Sequence, residues 1–146
     1  MTGNIEKIAL IAASFERLTG NRLVDSVDDV IAAMWDAPRV ILAHGTETDP
    51  VFFYGNKMAL NLFEISHEEL QCMPSRLSAE TLDQDARKRS LEQVSRDGFT
   101  AGYSGVRVSS TGKRFRIEQA VVWNLLDEEG RMHGQAATFD RWSPLP

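Results

Sequence analysis

A single cysteine, Cys72, stands among 146 residues, so no internal disulfide can form. The apolar runs are too short to cross a bilayer, and the start, MTGNIEKIALIAASFERL, carries Glu6 and Glu16 where a secretory signal would carry a basic start and a cleavage site. No surplus of positive charge exists either. Sixteen Lys and Arg against 21 Asp and Glu leave a net charge of −5, and the RKR cluster at Arg87–Arg89 reads as a solvated helix face. A nucleic-acid partner needs a concentrated basic face, and the chain offers none. Neither GNRL nor SSTGKR has the glycine spacing of a phosphate loop, and no G-x-S-x-G elbow is present. The three histidines, His44, His67 and His133, have no metal-ligand spacing to one another. The expectation is a cytoplasmic protein with no membrane, nucleic-acid or metal partner.

What the chain does have is one domain's worth of patterned sequence, 42% apolar and 25% charged. Ile5, Ile8, Ala12 and Phe15 recur at helical spacing from Asn4 to Leu18, and Gly20 stops the run. Val27, Val30, Ile31 and Met34 predict a second helix over Ser26–Trp35, closed by Pro38. RVILA (Arg39–Ala43) and VFFYG (Val51–Gly55) are short β-branched or aromatic runs around the turn-rich HGTETDP, and so read as a hairpin. Asn56 opens a short helix, Ser66 with Glu69 makes a capping box for another, and a longer one is expected from Asp83 to Gly98.

The last third changes period. Phe99–Ser109, Arg114–Leu126 and Arg131–Phe139 alternate as three strands joined by the turns STGK and DEEG. On strict alternation Phe115, Ile117, Gln119, Val121 and Trp123 share one face of the middle strand, while Ala120, Val122 and Leu126 make the other partly apolar. A sheet apolar on both faces needs cover on both, from the first two helices or from a second subunit.

The order of two helices, two strands, three helices and a three-stranded meander resembles the PAS fold. DPVFFYGNKMALNLFEISHEEL (Asp49–Leu70) is similar to the PAS succession of strand, asparagine, helix and capped turn, and SSTGKRFRIEQAVVWNLLDEEGRMHGQAATF (Ser109–Phe139) to its last two strands. YSGVRVSSTGKRFRIEQAVVWNL and PSRLSAE resemble, more narrowly, the MEKHLA group of PAS-like domains, which occurs as small bacterial proteins and at the C-terminus of certain plant homeodomain regulators.

The resemblance implies an α+β fold: a five-stranded antiparallel sheet with short helices on one face, preceded by two N-terminal helices. Residues 1–38 would form the helical extension, 39–140 the PAS-like domain and 141–146 a short tail. It implies a sensory, ligand-binding or protein-interaction module, homodimeric, without catalytic activity or an output domain of its own. The rival is a small isomerase- or hydrolase-like enzyme on a ketosteroid-isomerase-like cone, with Tyr103, Glu118 and His133 as its available acid–base groups.

In the flavin-bonding PAS subgroup a cysteine follows the capped turn, in an N-C-R-F-L-Q motif. Aligning Ser66 and Glu69 with that turn puts Ser75 at the reactive position, followed by Arg76, so covalent flavin photochemistry is not expected and the cofactor is left open. Cys72 reads as a packed thiol one helical turn earlier. The candidate ligand contacts are Arg76, whose planar fork suits a carboxylate or phosphate, with Ser75, Gln119, Tyr103 and Asn56. Arg107, Glu118, Asn124 and Gln135 also interrupt apolar alternation and need partners wherever they are buried. Asn56 has a structural alternative as a helix cap.

Overall fold

The computed structural model describes residues 2–25, 28–78, 92, 94, 96 and 98–146. Its elements are α1 (Thr2–Thr19), α2 (Val30–Trp35), β1 (Val40–His44), β2 (Phe52–Gly55), α3 (Lys57–Phe63), α4 (His67–Leu70), a 3-10 turn (Ser75–Ser78), β3 (Phe99–Val108), β4 (Arg114–Leu126), β5 (Met132–Phe139) and β6 (Arg141–Pro144). The second helix begins at Val30, four residues after the expected start, because the Asp29 side chain accepts from Ala32 N and sets the N-cap there. The helix expected over 83–98 lies mostly outside the described residues. Within it Val94 is buried, and Gly98 N–H donates to Val94 O at 2.8 Å, as in a last turn.

All strands pair antiparallel in the order β2-β1-β5-β4-β3, and β6 adds to β4. The fold is the expected PAS-like α+β sheet with helices. Its sixth strand comes from residues expected as a tail: Trp142 lies opposite Ile117 and stacks edge-on against Phe139 at 5.9 Å, so the segment joins the core cluster beside β4.

Two apolar layers flank the sheet. On one side α1 lays Ile11 and Phe15 against Ile41, Ala43, Trp123, Leu125 and Ala136. Polar contacts fix this docking as well as burial does. The fully buried Trp123 donates from Nε1 to Ile11 O at 3.1 Å, and Phe15 meets its ring edge-on at 4.8 Å. At the end of β4 the Ser14 hydroxyl donates to Leu126 O and accepts from Leu126 N, substituting for a strand neighbour. The N-terminal helix thus supplies the cover that the doubly apolar sheet demanded. On the other side Ala59, Phe63 and Leu70 of α3 and α4 pack against Val40, Leu42, Phe52, Phe115, Ile117 and Ala120.

Strict alternation fails at one place in β4. Gln119 has φ 54, a left-handed conformation, and the register with β3 shifts beside it, between Tyr103 and Gly105. The bulge inverts which parity faces which layer. Phe115 and Ile117 therefore join Ala120 beneath α3, while Val121 and Trp123 turn to α1. Gly102, at φ 79, marks the companion irregularity in β3, where the register shifts between Thr100 and Tyr103.

The cone-fold rival does not match this architecture. Its three groups also fail to converge: Tyr103 is buried under the helices, Glu118 is exposed opposite Arg141, and His133 Nε2 sits 2.9 Å from Asp127 Oδ2 in the β4–β5 turn.

The β3–β4 turn is clamped onto the end of α3. Glu64, left-handed at φ 55, accepts from Thr111 Oγ1, Lys113 Nζ and Ser109 Oγ, and its main-chain carbonyl accepts from Ser110 Oγ. These bonds, led by that of Thr111, hold its carboxyl at about 2 against an ordinary 4.5. A folded-state value below the unfolded one stabilises fully above the unfolded value and is lost as pH falls through the folded one. Glu64→Gln is therefore expected to lower the melting temperature by a constant amount above pH 5, with the gap to the parent closing between about pH 4.5 and 2. Paired thermal melts across that range measure it; a gap unchanged at pH 2.5 would remove the clamp from the account.

Candidate cavity between sheet and helices

Register places the site's rows. Opposite one another across β1, β5 and β4 stand Leu42, Ala137 and Val122, and in the next row His44, Gln135 and Asn124. Both rows face the α3/α4 side, where Phe52 of β2 and Tyr103 and Arg107 of β3 join them around a cavity of about 40 Å³. That volume holds roughly three water-sized spheres, far below the roughly 300–1,000 Å³ of a pocket for a drug-sized ligand.

Among the described residues Leu42, Phe52, Val122 and Ala137 make its apolar wall, and the polar side chains of His44, Tyr103, Arg107 and Gln135 interrupt that wall. Arg107 is half-buried, donates from Nη1 to Ser78 Oγ at 2.9 Å and lies over the Tyr103 ring with Cζ 6.0 Å from the centroid. Ser78 is fixed in turn, its hydroxyl donating to Ser75 O at 2.7 Å. His44 is buried with Nδ1 3.0 Å from Gly45 O; a carbonyl can only accept, so Nδ1 carries the proton in this contact and Nε2 is the acceptor of the neutral ring. Gln135 Nε2 donates to Asn124 Oδ1 at 3.0 Å, and Asn124 Nδ2 donates onward to Val94 O at 2.9 Å. The polar row is thereby tied to the segment that precedes β3.

Of the residues expected at a ligand, Tyr103 lines this cavity. Ser75 lies behind it, buried, its N–H donating to Pro50 O at 2.8 Å and its carbonyl receiving Ser78. Arg76 faces outward, and its Nε donates to Asp49 at 3.1 Å in an exposed pair. Gln119 is exposed, because the bulge gives its inward place to Ala120. Asn56 is fully buried and its amide is spent: Oδ1 accepts from Ile41 N and Ala59 N, while Nδ2 donates to Met34 O and Arg39 O. Cys72 is exposed at the exit of α4, contrary to the packed thiol expected. Arg107 and Gln135 were visible as polar breaks in strands, whereas His44 carried no signal beyond closing the β1 run.

Elsewhere, burial beside Ala43 and the His67 ring pushes the Tyr54 phenol up to about 12. Bonds from His133 and from Arg131 N hold the Asp127 carboxyl well below the usual range. Among the described residues no group of three or more His, Cys, Asp or Glu is arranged to hold a metal ion, and no helix is long and apolar enough to cross a membrane.

A family model, the MEKHLA domain, matches residues 5–144. The chain belongs to the MEKHLA domain family. This MEKHLA domain is 31% identical over 140 residues to the homeobox-leucine zipper protein HOX32 of Oryza sativa subsp. indica, an alignment covering 91% of the chain and 16% of that protein. It is 28% identical over 156 residues to the homeobox-leucine zipper protein REVOLUTA of Arabidopsis thaliana, covering 97% of the chain and 18% of that protein. The domain thus spans less than a fifth of the length of these relatives. Among solved structures it resembles the PAS domain of a protein from Colwellia psychrerythraea, with TM-score 0.67 at 16% identity over 83% of this chain and 98% of that one. It also resembles a light-oxygen-voltage domain studied with a flavin analogue, with TM-score 0.63 at 13% identity over 82% and 87%. The last two likenesses establish the fold, and the MEKHLA domain is PAS-like.

Proposed function

We propose that this MEKHLA domain is a non-catalytic sensory module that binds a small molecule between its sheet and its helices and passes the change to a partner. The observation that carries the reading is the convergence of His44, Tyr103, Arg107 and Gln135, from three strands, on one otherwise apolar cavity. A polar row set into an apolar wall offers a small molecule groups to bind beside those that already hold each side chain. A route outward runs from Gln135 through Asn124 to Val94, and along β4 to Ser14 and Trp123 at α1. A ligand that favours one arrangement of this path shifts the population of α1 positions.

Self-association, or contact with another protein through α1, is the proposed output. The sheet face that called for a second subunit is filled by α1, so any dimer would have to use other surfaces. Native mass spectrometry of the purified protein reads whether a small molecule accompanies it, and light scattering reads its oligomeric state. A bare monomer that no member of a broad small-molecule library stabilises against heat would defeat the sensory reading.

A further inference from the structure

Neighbouring strands change face at one level of the sheet. In β3 Phe99 packs on the α1 layer and Tyr103, four residues on, packs on the α3 layer; in β4 Ile117 lies on the α3 layer and Val121 on the α1 layer. Strict alternation would keep each pair on one face. Where β5 passes into β6 the same break shows the other way, since Phe139 and Trp142, three apart, share the α3 layer. The changes fall at Gly102, Gln119 and Asp140, all exposed, the first two with φ 79 and 54. No residue is gained or lost there. Between Glu118↔Arg141 and Val121↔Thr138 stand 119–120 against 139–140, and between Gly105↔Ile117 and Thr100↔Val122 stand 101–104 against 118–121.

We propose that this line is a crease, and that the part of the sheet beyond it, residues 105–118 together with β6, swings as one flap latched by Glu64. The body of the sheet has fastenings of its own: α1 is held to β4 at Trp123 and Leu126, and β1 pairs with β5 rather than with β6. The flap's described ties run to α3 and to the 3-10 turn. Phe115 meets Phe63 edge-on at 5.3 Å, Ser110 N–H donates to Phe63 O at 2.9 Å, and Ser109, Thr111 and Lys113 converge on the Glu64 carboxylate, while Arg107 Nη1 donates to Ser78 Oγ. The crease itself carries exposed residues, and an added Cβ at Gly102 would meet nothing within 4 Å, so its backbone turns without repacking the core. Units of this size open locally when their ties are few and lie at one edge. Opening parts Phe115, Ile117 and Trp142 from α3, and a partner that binds the apolar surface so bared shifts the flap's population. The flap needs no ligand in the cavity.

Amide hydrogen exchange of the ligand-free protein, read residue by residue by NMR near neutral pH, tests this. The amides of 114–118 and 141–143 are expected to share one opening equilibrium and to exchange faster than those of 121–126 and 134–138. Leu125→Ala removes fully buried packing on the α1 side, and should speed the body amides by about a hundredfold while the flap amides keep their rates. Where that variant does not fold, Ile11→Val asks the same at about fivefold. Glu64→Gln should speed the flap amides several-fold. Flap amides that accelerate in step with the body in the core variants mean that the flap opens only with the whole domain, which overturns the proposal. Flap amides that keep the parent rates in Glu64→Gln overturn it too, as does a border between fast and slow amides of β4 that falls away from Gln119.

Discussion

Replacing Asn56 by alanine is expected to lower stability by about 3–5 kcal/mol, and the melting temperature by roughly 10–20 °C. No other side chain in the described residues joins as many elements. From a fully buried position its amide bonds Met34 O at the end of α2, Arg39 O ahead of β1, Ile41 N within β1 and Ala59 N in the first turn of α3, all between 2.8 and 3.1 Å. Alanine removes both acceptors and both donors and leaves four main-chain groups without that partner, each a loss of order 1 kcal/mol or more when water cannot replace it. Asn56→Asp separates the halves. It retains the acceptors for Ile41 and Ala59 but sets a carboxylate against two carbonyls, so its buried carboxyl should titrate above the unfolded value of about 3.9. A raised acid stabilises below the unfolded value and loses that contribution as pH rises. The aspartate variant should therefore be least impaired near pH 4 and approach the alanine variant at pH 7. Urea denaturation of the three proteins at both pH values measures this, and an alanine penalty below about 1 kcal/mol would mean that the amide is not what joins these elements.

The same residue shows what could be read from sequence and what could not. An asparagine between a strand and an apolar helical run signals a cap, as Ser66 with Glu69 signals a capping box, and both caps form. Caps are local, so three or four residues suffice to reveal them. The other three bonds of Asn56 reach 15, 17 and 22 residues back along the chain, and no local pattern encodes them. Strand identity was legible for a similar reason, since alternation and turn chemistry are short-range. Facing was legible only as far as the alternation stayed unbroken. Gln119 carries no glycine-like mark, yet its left-handed backbone reverses the inward parity of β4 and moves Phe115 and Ile117 to the opposite layer from Trp123. Gln119 was thus placed inward by a rule that holds on either side of it and fails at it.

Arginine illustrates a second limit. Arg76 follows Pro74 near the aligned cofactor position, but in a one-turn 3-10 segment the inward places go to Ser75 and Ser78, and Arg76 meets Asp49 in solvent. Arg107 has the strand position that faces the cavity, two residues beyond Gly105 and across the register shift from Tyr103, which lines the same cavity. Which arginine reaches the cavity depends on strand pairing over tens of residues, and pairing is long-range information. The tail is a third case: Trp142 becomes a strand residue because β4 is long enough to pair beyond the end of β5.

Gly134→Ala should be among the most damaging single substitutions in the chain, at about 3–5 kcal/mol, and it should remove the cavity as well as stability. Gly134 has φ 142, a conformation open to glycine almost alone, and a Cβ there would lie 2.0 Å from His44 O and 3.0 Å from His44 C. The obstacle is the main chain of the neighbouring strand, which cannot rotate away as a side chain could. Relief requires β1 and β5 to separate at His44 and Gln135, the polar row of the cavity. Gly112→Ala and Gly130→Ala provide the control. Both residues have positive φ, 88 and 80, and neither has any atom within 4 Å of an added Cβ, so each should cost roughly 1 kcal/mol from backbone conformation alone. The excess at Gly134 over these two isolates crowding from conformation. If the three alanine variants unfold at similar urea concentrations, β1 and β5 are not in contact as closely as the structure has them, and the row that brings His44 to Gln135 loses its basis. If Gly134→Ala alone falls, any thermal response of the protein to a cavity ligand should fall with it, because the walls of the site and the strand contact are one piece of backbone.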